Sequence, residues 1–252
     1  MRNLGFSPNC ITCSQIKVTV FCSLILFMIV SIYITLHDSV TICIIDDFTE
    51  RNAQSHGQAV YEIICDKLNK ERHIVECIHI DLNEESSHSK LNTVLKKLID
   101  RDIDYLNMSF GANTYNQETY ALLKQIGESG TIIIAAAGNY GEAICDYPAA
   151  YDLNCIISVG VADDNGSILA YSNYGNDVDI FVSFSNEINN LRGTSAACAK
   201  VTNVMVREKY SCIHGNIKNY FLKKADSYRS GNYVYLYINL DNMEEKNENI
   251  TK

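Results

Sequence analysis

Thr131-Ile132-Ile133-Ile134-Ala135-Ala136-Ala137 is an unbroken apolar run, closed by Gly130 on one side and Gly138-Asn139 on the other. A strand with one wet face alternates polar and apolar residues. A short run that is apolar throughout has both faces covered, the condition of a parallel strand under helices. Just upstream, Glu118–Ser129 has helical spacing and stops at the glycine. Earlier still, Thr41–Ile45 is a second apolar, β-branched run that ends in acids, and His73–Ile80 and Asp104–Met108 read as strands. Between these, His56–Lys70 sets Ala59, Val60, Ile63, Ile64 and Leu68 on one stripe, and Ser89–Asp100 is amphipathic. Downstream, Cys155–Val161 and Val178–Val182 are strands, Gly193–Lys209 is a helix opened by a glycine turn, and Ile217–Lys224 is another helix. The alternation predicts an α/β fold of three layers, a parallel sheet flanked by helices on both faces. In such sheets ligands bind beyond the carboxyl ends of the strands. Asp46 follows one strand, Gly138-Asn139 follows another, and Ser195 begins a helix, so all stand where chemistry is expected.

A chain of 252 residues, 47% apolar and 20% charged, has room for one sizeable domain and a short appendage. Its net charge of −9 leaves no basic stripe to neutralise phosphates, which excludes a nucleic acid as partner. Val18–Leu36 contains no charge and is long enough to cross a bilayer as a helix. Arg2 and Lys17 precede it, and Asp38, Asp46 and Asp47 follow, so the positive-inside tendency predicts a single-pass orientation. Residues 1–17 are then a short cytoplasmic tail, 18–36 a transmembrane signal anchor, and 38–240 a domain on the non-cytoplasmic side of the membrane. A cleaved signal peptide fits less well, because no A-x-A-like site follows the run. Residues 241–252, acidic and rich in asparagine, read as a disordered tail. Beyond the anchor stand Cys43, Cys65, Cys77, Cys145, Cys155, Cys198 and Cys212. Cys145 and Cys155 flank a surface loop and are the expected disulfide. Cys10-Ile11-Thr12-Cys13 has the spacing of a metal clip but no second pair to complete a site, so no metal and no cofactor is expected. His73, His79 and His88 have no chemical company and read as structural or exposed.

Acyl transfer by a hydroxyl needs a base to take its proton, an acid to fix the tautomer of that base, and donors that meet the oxyanion as it forms. Ser195 at a helix N-terminus is well placed, since unsatisfied backbone N–H groups there face developing negative charge. Gly193 lets the chain turn tightly ahead of it. The segment Arg192-Gly193-Thr194-Ser195-Ala196-Ala197-Cys198-Ala199-Lys200-Val201 resembles the nucleophile segment, G-T-S-M-A-x-P-x-V, of the subtilisin-like (S8) serine peptidases. Ala135-Ala136-Ala137-Gly138-Asn139-Tyr140-Gly141 resembles their A-A-x-G-N-x-G segment, and Leu106-Asn107-Met108-Ser109-Phe110-Gly111 their N-x-S-x-G strand end. Ser55-His56-Gly57-Gln58-Ala59-Val60 resembles the histidine segment, and Ile42-Cys43-Ile44-Ile45-Asp46 the strand that ends in the aspartate. Tyr147-Pro148-Ala149, Ser158-Val159-Gly160-Val161 and Tyr171-Ser172-Asn173-Tyr174-Gly175 follow in the family's order.

The resemblance, which runs from about Thr41 to Ile238, implies a role for each matching position. Ser195 is the nucleophile, His56 the general base, and Asp46 the residue that orients His56; Asp47, next in the chain, is the rival for that place. Asn139 assists the oxyanion hole. Ser109, Phe110 and Gly111 on one side and Ala136, Ala137 and Gly138 on the other wall the pocket for the residue before the cut. The implied activity is that of a serine endopeptidase acting on a peptide or protein substrate. Two other readings compete. One is an inactive form of the same fold that binds peptides without cutting them. The other is an esterase that pairs Ser195 with His214; residues 193–197 read G-T-S-A-A, without the second glycine of the elbow such enzymes use.

Overall fold

The computed structural model describes residues 25–28, 39–49, 55–81, 87–183, 191–208, 217–231 and 233–240. The chain divides at Ser39 into two units. Of the expected anchor, the described residues are Ile25–Met28, which are helical and exposed; the rest of 18–36, the tail before it and 241–252 lie outside the described residues. Among the described residues no helix is long and apolar enough to cross a membrane.

The second unit holds the strands β1 (Val40–Asp46), β2 (His73–His79), β3 (Tyr105–Met108), β4 (Ile132–Ala136), β5 (Ile156–Ala162), β6 (Ile180–Ser183), β7 (Asp226–Ser230) and β8 (Tyr233–Ile238). Its helices are α1 (His56–Cys65), α2 (Ser87–Leu98), α3 (Gln117–Glu128), α4 (Gly193–Glu208) and α5 (Ile217–Leu222). The strands form one sheet in the order β2-β1-β3-β4-β5-β6-β8-β7. Neighbours from β2 through β8 run parallel. The outermost pair departs from the expected all-parallel sheet, because β7 runs antiparallel to β8. Nothing in the strand-helix alternation foretells this hairpin. Its signal is Gly231-Asn232 between two short runs containing tyrosine, a two-residue loop of the hairpin kind.

Period-two alternation assigns the side chains of each inner strand to two cores. Val40, Ile42 and Ile44 of β1, with Ile134 and Ala136 of β4, pack against α1, α4 and Phe221 of α5. Cys43 and Ile45, with Ile133 and Ala135, pack against Leu91, Leu95 and Leu98 of α2 and Leu122, Leu123 and Ile126 of α3. Those are the three layers. At roughly 25 cal/mol per Å² of apolar surface, each fully buried isoleucine or leucine here contributes about 2 kcal/mol of transfer free energy.

Helix α1 stops at Cys65, short of the expected Lys70. Lys67 turns to a left-handed φ of 56°, and Asn203 of α4 donates through Nδ2 to the carbonyls of Ile64 (2.9 Å) and Asp66 (2.7 Å), consuming acceptors a longer helix would have used. The expected disulfide is not formed. Neither thiol is in a disulfide: Cys145 is buried in the second core, and Cys155 packs against Gly127 of α3. Burial pushes the Cys145 thiol up to about 12, so it behaves as a small apolar side chain.

Candidate active site

β1, β3 and β4 are neighbours in the sheet, and their carboxyl ends bring Asp46, Ser109 and Ala136–Asn139 to one rim. The amino end of α4 meets the same rim, since Thr194 and Ser195 bond to Asn139 and Ser109. The helix is buried along nearly its whole length, which leaves Ser195 with little freedom beyond side-chain rotation.

Asp46 is fully buried at the end of β1. Its Oδ1 accepts from His56 Nδ1 at 2.6 Å and from the backbone N–H of Asp47 at 2.7 Å. Its Oδ2 has no hydrogen-bond partner among the described residues. Only ten positions separate the two residues, and the sequence closes that gap with three devices. Ser55 caps α1 by accepting from the N–H of Gln58 at 3.2 Å. Gly57 donates its N–H to the Asp47 carbonyl at 2.8 Å, and a Cβ on it would lie 2.8 Å from that oxygen, so the helix docks on the turn only because no side chain intervenes. His79 of β2 meets the turn from the other side, its Nδ1 3.0 Å from the N–H of Phe48 and 3.5 Å from Asp47 Oδ1. Asp47 is the more exposed of the acid pair and receives the N–H of Thr49, not His56.

Opposed effects set the titration of His56. Burial works to lower its pKa, but the hydrogen bond to Asp46 and the charges of Asp46 and Asp47 outweigh it and hold the pKa above the ordinary 6.5.

Ser195 is 9% exposed, and its hydroxyl donates to the Ser109 carbonyl at 2.7 Å. No hydrogen bond joins it to His56 among the described residues. Ser109 Oγ lies 3.2 Å from the Ser195 carbonyl and 2.9 Å from Asn107 Oδ1, so the two serines are stitched together across 86 positions of chain. Beneath them, Asn107 Nδ2 donates to Thr202 Oγ1 (2.9 Å) and lies 3.3 Å from Cys198 Sγ. Burial pushes the Cys198 thiol up to about 12, so the sulfur fills the place before the next helical turn as a neutral group.

Asn139 is exposed, and its amide orientation is forced. Thr194 N–H, which can only donate, reaches Asn139 Oδ1 at 2.9 Å, with Thr194 Oγ1 at 3.2 Å. Nδ2 is therefore the free donor. A Cβ at Gly193, whose φ is +75°, would stand 2.5 Å from Asn139 Oδ1, so this contact excludes any side chain at position 193. The loop beyond is clamped by Asn173, buried, whose Oδ1 accepts the N–H groups of Tyr140 (2.9 Å) and Glu142 (3.2 Å) and whose Nδ2 donates to Ala137 (3.1 Å). Sequence reasoning gave Asn173, Asn107 and Thr202 no role of their own. Asn107 and Asn173 lay within motif segments; nothing marked Thr202.

The two expected pocket walls are present as backbone segments. Phe110 is half-buried against the second core; Gly111 and Ala112 follow it, and Ala112 exchanges backbone hydrogen bonds with Tyr147 (2.9 and 2.8 Å). Ala136, Ala137 and Gly138 continue β4, with Gly138 at φ +106° and its N–H 3.2 Å from Thr194 Oγ1. His214 lies outside the described residues. Among the described residues no group of His, Cys, Asp and Glu is disposed to hold a metal ion.

This arrangement has counterparts among known proteins. The sequence model of the subtilase family, Peptidase S8, matches residues 46–211. The thermostable alkaline protease of Halalkalibacterium halodurans is 25% identical over 147 residues, which are 54% of this chain and 40% of that protein. Halolysin of Haloferax mediterranei is 30% identical over 47% of this chain and 24% of its own length, and subtilisin DY of Bacillus licheniformis 30% identical over 43% and 44%. The chain thus spans less than half the length of these relatives. In fold it is similar to the prenylagaramide maturation protease PagA, with a TM-score of 0.62 over 76% of this chain and 86% of that one at 20% identity. A cold-adapted subtilisin-like serine proteinase superposes with a TM-score of 0.63 over 79% and 88% at 19% identity.

Proposed function

Because the chain belongs to the subtilase family, we propose that it is a serine endopeptidase whose triad is Ser195, His56 and Asp46. The observation that carries this reading is the 2.6 Å bond from the His56 ring to a fully buried carboxylate, on the rim that also holds Ser195. In the reaction, Ser195 gives up its bond to the Ser109 carbonyl and turns its hydroxyl toward His56 Nε2. Its Oγ attacks the scissile carbonyl as the ring takes the proton, and the ring then delivers that proton to the leaving amine. Water enters, is deprotonated by the same nitrogen, and releases the acyl group from Ser195. Asp46 keeps Nδ1 protonated, so Nε2 is the basic nitrogen, and stabilises the imidazolium that forms. Asn139 Nδ2 and the Ser195 backbone N–H donate to the oxyanion. Ser109–Gly111 and Ala136–Gly138 bracket the residue before the cut.

A fluorophosphonate probe tests the reading directly, since it reacts only with an activated serine. The full chain should be labelled at Ser195, and Ser195→Ala should not be. A folded wild-type chain that takes no label would favour the inactive peptide-binding form. The apolar run 18–36, with basic residues before it and acids after, supports a single-pass anchor that leaves the peptidase domain on the non-cytoplasmic side. Expressed in membranes, the full chain should stay in the pellet after alkaline carbonate extraction; its release would refute the anchor.

A further inference from the structure

In sequence His79 reads as structural or exposed; in the structure it meets the turn that follows the triad acid. β1 and β2 are in register there, with Asp46 opposite His79, and the Ile80 N–H donates to the Asp46 carbonyl at 2.9 Å. The ring of His79 therefore stands beside the carboxyl end of β1. The Phe48 N–H, which can only donate, reaches His79 Nδ1 at 3.0 Å. That nitrogen carries a lone pair, and the neutral ring has its proton on Nε2. The turn held in this way is the seat of α1. The Asp47 carbonyl receives the Gly57 N–H at 2.8 Å, and a Cβ on Gly57 would lie 3.0 Å from Cδ1 and Cδ2 of Phe48, so the helix is pressed against both residues of the turn. His56 is the first residue of that helix. A single turn thus connects His79 to the proposed base.

We propose, resting on the endopeptidase reading of the site, that neutral His79 is a positioning residue for His56, and that its protonation loosens the seat of α1 and slows the reaction. A second proton on the ring would sit on Nδ1 and set an N–H against the Phe48 N–H. Asp47 Oδ1 lies 3.5 Å from the same nitrogen and is the acceptor at hand. The protonated ring then exchanges the Phe48 bond for an ion pair with Asp47. A cavity of about 530 Å³, which His79 lines together with Thr49, Asp81 and Lys90, leaves room for the ring to turn. The charged groups around His79 are Asp46 and Asp47 at the end of β1, His56 on α1, and Asp81 and Lys90 at the cavity. Asp47 also links the two rings. Against burial, and beside the bond to Asp46, its charge helps to hold the His56 pKa up, and an imidazolium at His79 would offset that charge.

The test is the pH dependence of kcat/KM for the full chain on one peptide-aminomethylcoumarin substrate. In wild type the acidic limb of log kcat/KM should fall with a slope of two, one proton going to His56 and one to His79. His79→Asn puts an amide oxygen where Nδ1 was, an acceptor that does not titrate, so it should keep the wild-type plateau and show a slope of one. His79→Ala should lower the plateau kcat by about 10-fold, the size of one lost hydrogen bond, with KM unchanged. A wild-type slope of one, an Ala variant with the wild-type plateau, or an Asn variant no better than Ala would each overturn the role of His79 and leave the endopeptidase reading standing. Should His79→Ala not fold, the slopes of wild type and His79→Asn decide. If wild type cleaves nothing, the endopeptidase reading fails, and the Phe48 amide resonance of a chain with isotope-labelled phenylalanine decides whether His79 governs the turn. That resonance should move with pH in wild type and stay fixed in His79→Asn; equal movement in both refutes the switch.

Discussion

Ser195→Ala, His56→Ala and the double variant should each lose on the order of 10⁶-fold in kcat, a size known from subtilisin, with little change in KM. The expectation is equality, not addition. Nucleophile and base act as one unit: without the base, the Ser195 hydroxyl keeps its proton on the Ser109 carbonyl, and without the hydroxyl the base has nothing to activate. What remains comes from Asn139, the Ser195 N–H and the pocket walls, which no variant of this set touches. Steady-state kinetics on one good peptide substrate, with circular dichroism to verify folding, is the measurement. A double variant slower than either single by a further large factor would show that the two side chains act separately and would sink the triad.

Asp46→Ala should cost less in rate, on the order of 10⁴-fold in kcat, again by analogy with subtilisin, and should leave a second mark in the pH profile. His56 must be neutral to accept a proton, so activity falls as pH drops through its pKa. In the native chain the bond to Asp46 and the charges of Asp46 and Asp47 hold that pKa above 6.5, which places the acidic limb of kcat/KM above 6.5. With Asp46 gone, burial acts on the ring with only Asp47 against it, and the limb should move to lower pH. A limb that keeps its position would mean that Asp46 does not govern the imidazole. The same pair bears on stability: its contribution is fully present below 6.5 and is lost as pH rises through the raised folded-state pKa.

Most of the sheet was legible because its strands are covered twice. The run 131–137 could be read as a strand buried on both faces, and the structure sends Ile133 and Ala135 to one core and Ile134 and Ala136 to the other. The motif segments were legible for a different reason. Ser55, Gly57, Gly138 and Gly193 are each required by a local contact, a cap or a close approach, and such requirements leave the same residue types at the same spacing.

What was not legible depends on distant pairing. Asn107 meets Thr202 across 95 positions, and Asn203 ends α1 across 139. In the sequence each is one more polar residue in an otherwise apolar helix or strand. Cysteine spacing misled for the same reason. Ten positions apart in the chain, Cys145 turns inward to the core while Cys155 lies under α3. Asp146 stands beside a motif and outside it, and its packing against Gly111 and Gly138 appears only when those two glycines arrive from either side. The hairpin of β7 and β8 escaped because alternation of strand and helix looks for crossovers, and this connection has none.

That hairpin also decides how the sheet ends. β7 is five residues long, its side chains are mostly in water, and it carries Asp226 and Arg229. A border so short and so charged is a poor template for a second copy of the same chain, which would have to strip water from both ions to add a strand there. A parallel sheet that finished at β8 would instead offer Tyr233–Ile238, a tyrosine-rich run, as its open margin. Reversing the final strand therefore guards the protein against joining edge to edge into fibrils at that margin.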